Sequence, residues 1–195
     1  MSDYSQVHKV EEILAQSEAL LTGHFLLSSG RHGEKYMQCA KVLQYPNHTE
    51  YLAQVIAEGF KDDNVEIVLA PAMGGIIIGY ELARALGAKS IFSERENGIM
   101  TLRRGFEIPK GARVVIAEDV VTTGKSTKEV IAITIACEAE LVGVCSIVDR
   151  TGGEIDFGVK YVSAYAKEII SYTPEACPLC KAGIPIVKPG SRTTV

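Results

Sequence analysis

The chain has 195 residues, is 47% hydrophobic and 23% charged, and carries a net charge of −4 at neutral pH. That length suits one domain with a full core, and the acidic balance excludes the basic surface on which non-specific nucleic-acid binding depends. Runs of about eighteen apolar residues are absent, so no membrane partner is expected. The opening Met1-Ser2-Asp3-Tyr4 also lacks the basic and apolar regions of a signal peptide.

In chain order, Val7, Val10, Ile13, Leu14, Leu20 and Leu21 recur at helical spacing and predict an amphipathic helix over 5–21. His24 to Ser29 and Lys35 to Leu43 read as strands on either side of Gly30-Arg31-His32-Gly33. Pro46 and Asn47 start a helix that carries Leu52, Val55, Ile56 and Phe60 on one face. Val65 to Ala70 is a buried strand ending at Pro71-Ala72-Met73-Gly74-Gly75, and the helix after it stops at Gly87. Lys89 to Ser93 is a further strand, followed by a polar stretch, Glu94 to Gly105, with little apolar pattern.

Next comes the most informative segment, residues 112–127. The apolar run Val114 to Ala117 reads as a buried parallel strand that ends in Glu118 and Asp119. Val120 and Val121 follow, then Thr122, Thr123, Gly124, Lys125, Ser126 and Thr127 open a helix. A hydroxyl-rich strand-to-helix turn offers unpaired N–H groups at the positive end of a helix, which suits a phosphate. Two carboxylates just before it would repel a bare polyphosphate but can accept hydrogen bonds from a ribose diol. Gly124-Lys125-Ser126 imitates the tail of a P-loop, yet Asp119 stands where that motif requires Gly.

Strands at Leu141 to Val148 and Val159 to Ala164 complete the alternation, which predicts an α/β fold with a mostly parallel central sheet flanked by helices. Residues 1–45 break the alternation and are expected to form a small N-terminal hood, joined by the proline-punctuated C-terminal tail, within a single domain 1–195. Two further loops fall at strand ends where open sheets bind ligands. One is the diglycine turn at 71–75, where a backbone can approach an anion. The other is Asp149-Arg150, which delivers a guanidinium but alone reads more simply as a surface ion pair.

Five cysteines, with Cys39, Cys137 and Cys145 in apolar segments, are expected to be reduced thiols in a cytoplasmic protein. Cys177-Pro178-Leu179-Cys180 is a lone pair; a zinc site would require a second pair or nearby histidines, and His8, His24, His32 and His48 all lie in the first quarter of the chain. The pair therefore reads as structural or incidental.

The strand, two acids, two apolar residues and Thr-Thr-Gly resemble the phosphoribosyl-pyrophosphate signature of the type I phosphoribosyltransferases. With Phe25-Leu26-Leu27-Ser28-Ser29-Gly30-Arg31-His32, the charged stretch from Glu94-Arg95 and Asp149-Arg150, nearly the whole chain is similar to the orotate phosphoribosyltransferases. The resemblance implies the type I fold and transfer of ribose 5-phosphate to N1 of orotate in pyrimidine synthesis. It also implies Mg²⁺, held mainly by substrate, and a homodimer. On that reading Glu118 and Asp119 hold the ribose and serve catalysis, Thr122 through Ser126 wrap the 5-phosphate, and Val120 and Val121 complete the phosphoribosyl-pyrophosphate site. Thr122 and Arg150 reach orotate, and Ala72, Met73, Gly74 and Gly75 receive pyrophosphate. A cis peptide is expected at Ala72-Met73. Arg95, Arg103 and Arg104 would belong to a mobile loop closing from the partner subunit.

The chain departs from the family pattern in three places. Gly74 and Ser28 stand where many members carry Lys, with Arg31 or Lys35 as substitutes for the second, and residues 90–109 hold neither Lys nor His. Two other functions are compatible with the same fold. A purine phosphoribosyltransferase would stack an aromatic on its base and would not need Arg150. A phosphoribosyl-pyrophosphate sensor that binds nucleic acid would show a basic face.

Overall fold

The computed structural model describes residues 4–27, 29–167 and 170–189. Its main sheet contains β3 (Ile67–Pro71), β4 (Lys89–Glu96), β5 (Ile99–Leu102), β6 (Arg113–Val121), β7 (Glu140–Asp149) and β8 (Lys160–Ala166). Their spatial order is β5-β4-β3-β6-β7-β8, parallel except for the edge strand β5. From β3 the chain crosses to β4 on one side, then returns to place β6 on the other. The switch point therefore lies between the carboxyl ends of β3 and β6, where such sheets bind ligands.

Period-two alternation divides the core into two layers. Val68, Val115 and Ala117 face the layer containing α1 (Tyr4–Gln16), α3 (Pro46–Ala57) and α4 (Gly75–Leu86). Ile67, Leu69, Val114 and Ile116 face Val130 of α5 (Lys125–Ala136). A side chain at Gly79 would sit 2.9 Å from Ala70 Cβ, so its absence lets α4 lie close on β3. Gly87, at φ 68°, ends α4 in the left-handed conformation, as its position predicts.

A second sheet, β1-β2-β9, forms the hood from β1 (Leu20–Leu26), β2 (His32–Met37) and the two-residue β9 (Ser171–Tyr172). The expected helix over 5–21 is shorter. Ser17 donates its hydroxyl to the Ile13 carbonyl, Glu18 takes φ 52°, and Leu20 and Leu21 enter β1 instead. Both residues fit either period, and the left-handed turn decides the matter. The expected strand over Lys35 to Leu43 ends at Met37, and Ala40–Leu43 is a helical turn, α2. Val42 and Leu43 are adjacent and both buried, which a helical turn between two layers allows more readily than a strand.

Two other expectations need correction. Glu94 to Gly105 is largely a β-hairpin, with Asn97 and Gly98 at φ 51° and 84° forming its tip. Asn-Gly is a strong hairpin signal that the charged composition hides. Cys177, between a 3-10 turn (Pro174–Ala176) and the short α6 (Pro178–Lys181), and Cys180 within α6 are not remote from histidine: β1 and β2 bring His24 and His32 against them.

Candidate active site

Strand β6 is buried from Val114 through Ala117 and emerges with Glu118 and Asp119. Alternation sends the two acids to different recesses. Glu118 lines a small one of about 100 Å³ with Val120 through Thr127. Asp119 lines a larger one of about 540 Å³ with Val120, Met73, Gly74 and Ile77 on one side and Tyr36, Gln38 and Cys39 of the hood on the other. Cys39 Sγ lies 3.6 Å from the Asp119 carbonyl, where the hood meets the sheet.

Both acids are held in unusual states. Glu118 is pushed up to about 9, first by burial and then by the neighbouring Asp119 charge. Its Oε2 is buried without a partner. Burial likewise raises Asp119, whose Oδ1 accepts the Val120 N–H at 2.9 Å. A buried acid pair with an unpartnered oxygen is a marker of a functional site. Burial and the two acids push the Cys39 thiol up, so it is a poor nucleophile.

The turn after β6 has the geometry that the sequence predicts. Gly124 caps α5 at φ 68°, and a Cβ there would lie 2.5 Å from Ile155. Only glycine satisfies both constraints. Thr122 and Thr123 are exposed beside it, with Lys125 and Ser126 opening the helix. Across the switch point Ala72-Met73 is cis, and Gly74 starts α4 against Asp119, with no room for a side chain. Buried Ser93 accepts the Ala72 N–H at its carbonyl, and its hydroxyl has no partner.

Arg150 lies at the same edge, its N–H bonded to the Val121 carbonyl. Its Nε is buried and unpartnered, and burial lowers its pKa despite the nearby Tyr36. The surface-ion-pair reading of Asp149-Arg150 fails, because Asp149 is buried and accepts from Thr151 and Gly153 N–H groups. A half-buried guanidinium whose Nε lacks a partner suits an acidic ligand.

Arg95, Arg103 and Arg104 all sit on or beside the β4–β5 hairpin and engage acids. Arg95 pairs with Glu129 of α5, Arg103 with Glu96, and Arg104 with Glu94 while lying over the Phe92 ring. Arg31 binds Ser171, and Ser28 lies outside the described residues. The reading from sequence missed Tyr36, Gln38 and Cys39 as lining residues. They reach the site only through the long-range docking of the hood, which leaves no local pattern.

The family model of the phosphoribosyl transferase domain matches residues 42–171. The orotate phosphoribosyltransferase of Caldanaerobacter subterraneus subsp. tengcongensis is 54% identical over 184 residues, covering 94% of this chain and 97% of that protein. The orotate phosphoribosyltransferase of Thermotoga maritima is 50% identical over 183 residues, covering 94% and 98%. Among solved structures, orotate phosphoribosyltransferase from Aeropyrum pernix superposes with TM-score 0.69 at 26% identity, covering 80% of this chain and 92% of that one. An adenine phosphoribosyltransferase from Thermoanaerobacter pseudethanolicus, at 16% identity and TM-score 0.64, shares the fold. With its signature turn, switch-point recess and near-full-length relatives, the chain belongs to the orotate phosphoribosyltransferases of the type I phosphoribosyltransferase family.

Proposed function

We propose that the protein transfers ribose 5-phosphate from phosphoribosyl pyrophosphate to N1 of orotate, forming orotidine 5′-monophosphate and pyrophosphate in pyrimidine synthesis. The observation that carries this reading is Arg150. Its half-buried guanidinium, with a buried and unpartnered Nε beside Tyr36 at the signature edge, suits a small acidic base better than a neutral purine.

The turn from Thr122 to Ser126 holds the 5-phosphate through N–H groups at the start of α5. Glu118 and Asp119 orient the ribose, and the cis loop with Gly74 and Gly75 receives pyrophosphate. As the bond to pyrophosphate breaks, positive charge grows on the anomeric carbon, as in glycoside chemistry. Orotate is already an anion and attacks without a covalent protein intermediate. Asp119, once ionised, favours the developing cation, so the protein contributes position and electrostatics.

The residues present are compatible with Mg²⁺ held chiefly by substrate. Two carboxylates adjoin the recesses and Glu118 Oε2 lacks a partner, whereas Mg²⁺ keeps several waters and substrate phosphates as ligands. When bound, the ion neutralises charge on the departing pyrophosphate. Arg95, Arg103 and Arg104 are the candidate cations for the same task, released from Glu129, Glu96 and Glu94 if the hairpin moves. A homodimer working in the cytoplasm completes the reading. Among the described residues, no helix is long and apolar enough to cross a membrane.

The test is loss of orotate absorbance when phosphoribosyl pyrophosphate and Mg²⁺ are added to purified protein, with adenine, hypoxanthine and guanine as competing acceptors. Orotate alone should be consumed, and Asp119→Asn should lower turnover by about 10²-fold or more with the fold intact. Consumption of a purine instead, or full activity in Asp119→Asn, contradicts the assignment.

A further inference from the structure

Far along the chain from the signature, His24 lies near the end of β1, His32 opens β2, and Cys177 and Cys180 come from the C-terminal segment. One ligand atom from each falls within 4.8 Å of every other. His24 Nε2 is 3.1 Å from His32 Nδ1, 3.6 Å from Cys177 Sγ and 3.7 Å from Cys180 Sγ. His32 Nδ1 is 3.2 Å from Cys180 Sγ. Around a tetrahedral zinc ion with ordinary bond lengths, ligand atoms stand about 3.4 Å apart for two nitrogens and about 3.6 Å for nitrogen and sulfur. Four of the six separations are thus already close to those of a tetrahedral zinc site, and the other two are within 4.8 Å.

Second contacts support the same conclusion. His24 Nδ1 lies 2.7 Å from the Ile184 carbonyl, so that nitrogen carries the proton and Nε2 turns its lone pair inward. His24, His32 and Cys177 are buried, while Cys180 remains exposed and leaves a route for an ion. Both cysteines are free thiols. Two thiolates and two imidazoles converging on one point select zinc over hard cations.

We propose that His24, His32, Cys177 and Cys180 bind one structural Zn²⁺ that fastens the C-terminal segment to the hood. The site has something to fasten. Leu26 donates to the Val187 carbonyl and Val187 donates to the His24 carbonyl, each at 2.8 Å, so residues 184–187 run beside β1. Within the hood β9 contributes only two residues, Ser171 and Tyr172, to the sheet. A sheet this small gains from a metal clip. The clipped hairpin continues into Tyr36, Gln38 and Cys39, which line the larger recess, so the ion would steady one wall of the active site without touching substrate.

Protein without an affinity tag, purified from zinc-supplemented cells, should contain about one zinc per chain by elemental analysis. After stripping with a chelator, the melting temperature should fall by several degrees, and Co²⁺ should restore it. The cobalt form should show the intense visible bands of a tetrahedral thiolate site. Cys180→Ser, at the exposed ligand, should lose the stoichiometric ion and these bands, while Cys137→Ser keeps both. The wild-type cobalt spectrum decides the matter even if Cys180→Ser folds poorly. A metal-free protein that gives no cobalt bands overturns the proposal. So does a Cys177–Cys180 disulfide in the purified chain, or undiminished metal binding in folded Cys180→Ser.

Discussion

Glu118 sits one residue from Asp119 at the end of a buried strand, and its carboxyl is pushed from 4.5 up to about 9. The native chain therefore binds a proton that the unfolded chain has released throughout the interval between those values. The contribution of Glu118 to native stability thus falls as pH rises across that window, with no penalty below about 4.5 and the full penalty above about 9. Asp119 shifts in the same direction and adds to the trend. Glu118→Gln removes the titration. Its stability relative to the parent should rise by about 2 kcal/mol or more between pH 5 and pH 9, read from urea midpoints at constant m. A constant gap at all pH values would mean that the carboxyl titrates normally. The two adjacent acids at a strand end are legible in the sequence, but their division between two recesses is not. It follows from strand alternation together with the packing of Gly74 and the hood around Asp119.

Among the elements, those with strong local signals follow the sequence closely. The alternation within β3 and β6, Gly87 at the end of α4 and Gly124 before α5 each rest on a period or a backbone need that neighbouring residues express. Leu20 and Leu21 went to β1 instead of α1, and Val42 and Leu43 to α2 instead of a strand, because both pairs are apolar enough for either period. The junction of β3 with α4 is more revealing. Gly74 has an ordinary helical φ of −58°, so glycine is not needed there for the backbone. It is needed for space, since a Cβ would stand 2.6 Å from Asp119 Oδ1. A lysine at 74, as many family members carry, would require Asp119 to stand elsewhere. Gly74→Ala should lower stability by about 1 kcal/mol or more, because the added methyl meets the buried acid and Gly74 is the cap of α4, where alanine brings no advantage. Turnover should drop on the order of 10²-fold as the acid is pushed aside. Steady-state kinetics beside a melting curve separates the two effects, and an alanine variant with parental turnover would show that Asp119 has freedom to move.

For the whole molecule, the exposed face of α4 bears most directly on assembly. Met73, Ile77 and Tyr80 follow one another at helical spacing, with Met73 83% and Tyr80 63% exposed, and the stripe ends at Arg84, which binds Glu50 and Glu81. An apolar stripe with a charged rim is the usual form of a protein–protein interface. A second copy of the chain is the occupant that the homodimer reading requires. The stripe also borders the larger recess, because Met73 and Ile77 line it with Asp119. Subunit contact would then narrow the recess and exclude water where charge develops. Tyr80 lies in the stripe but outside that lining, so Tyr80→Glu tests assembly without altering the recess directly. Burying an unpaired carboxylate should weaken association by roughly 3 kcal/mol, about 10²-fold in Kd. Sedimentation at micromolar concentration should find the parent as a dimer and Tyr80→Glu shifted toward monomer, with activity rising as the variant is concentrated. A parent that sediments as a monomer at every concentration, or a Tyr80→Glu dimer as tight as the parent, would remove α4 from the interface.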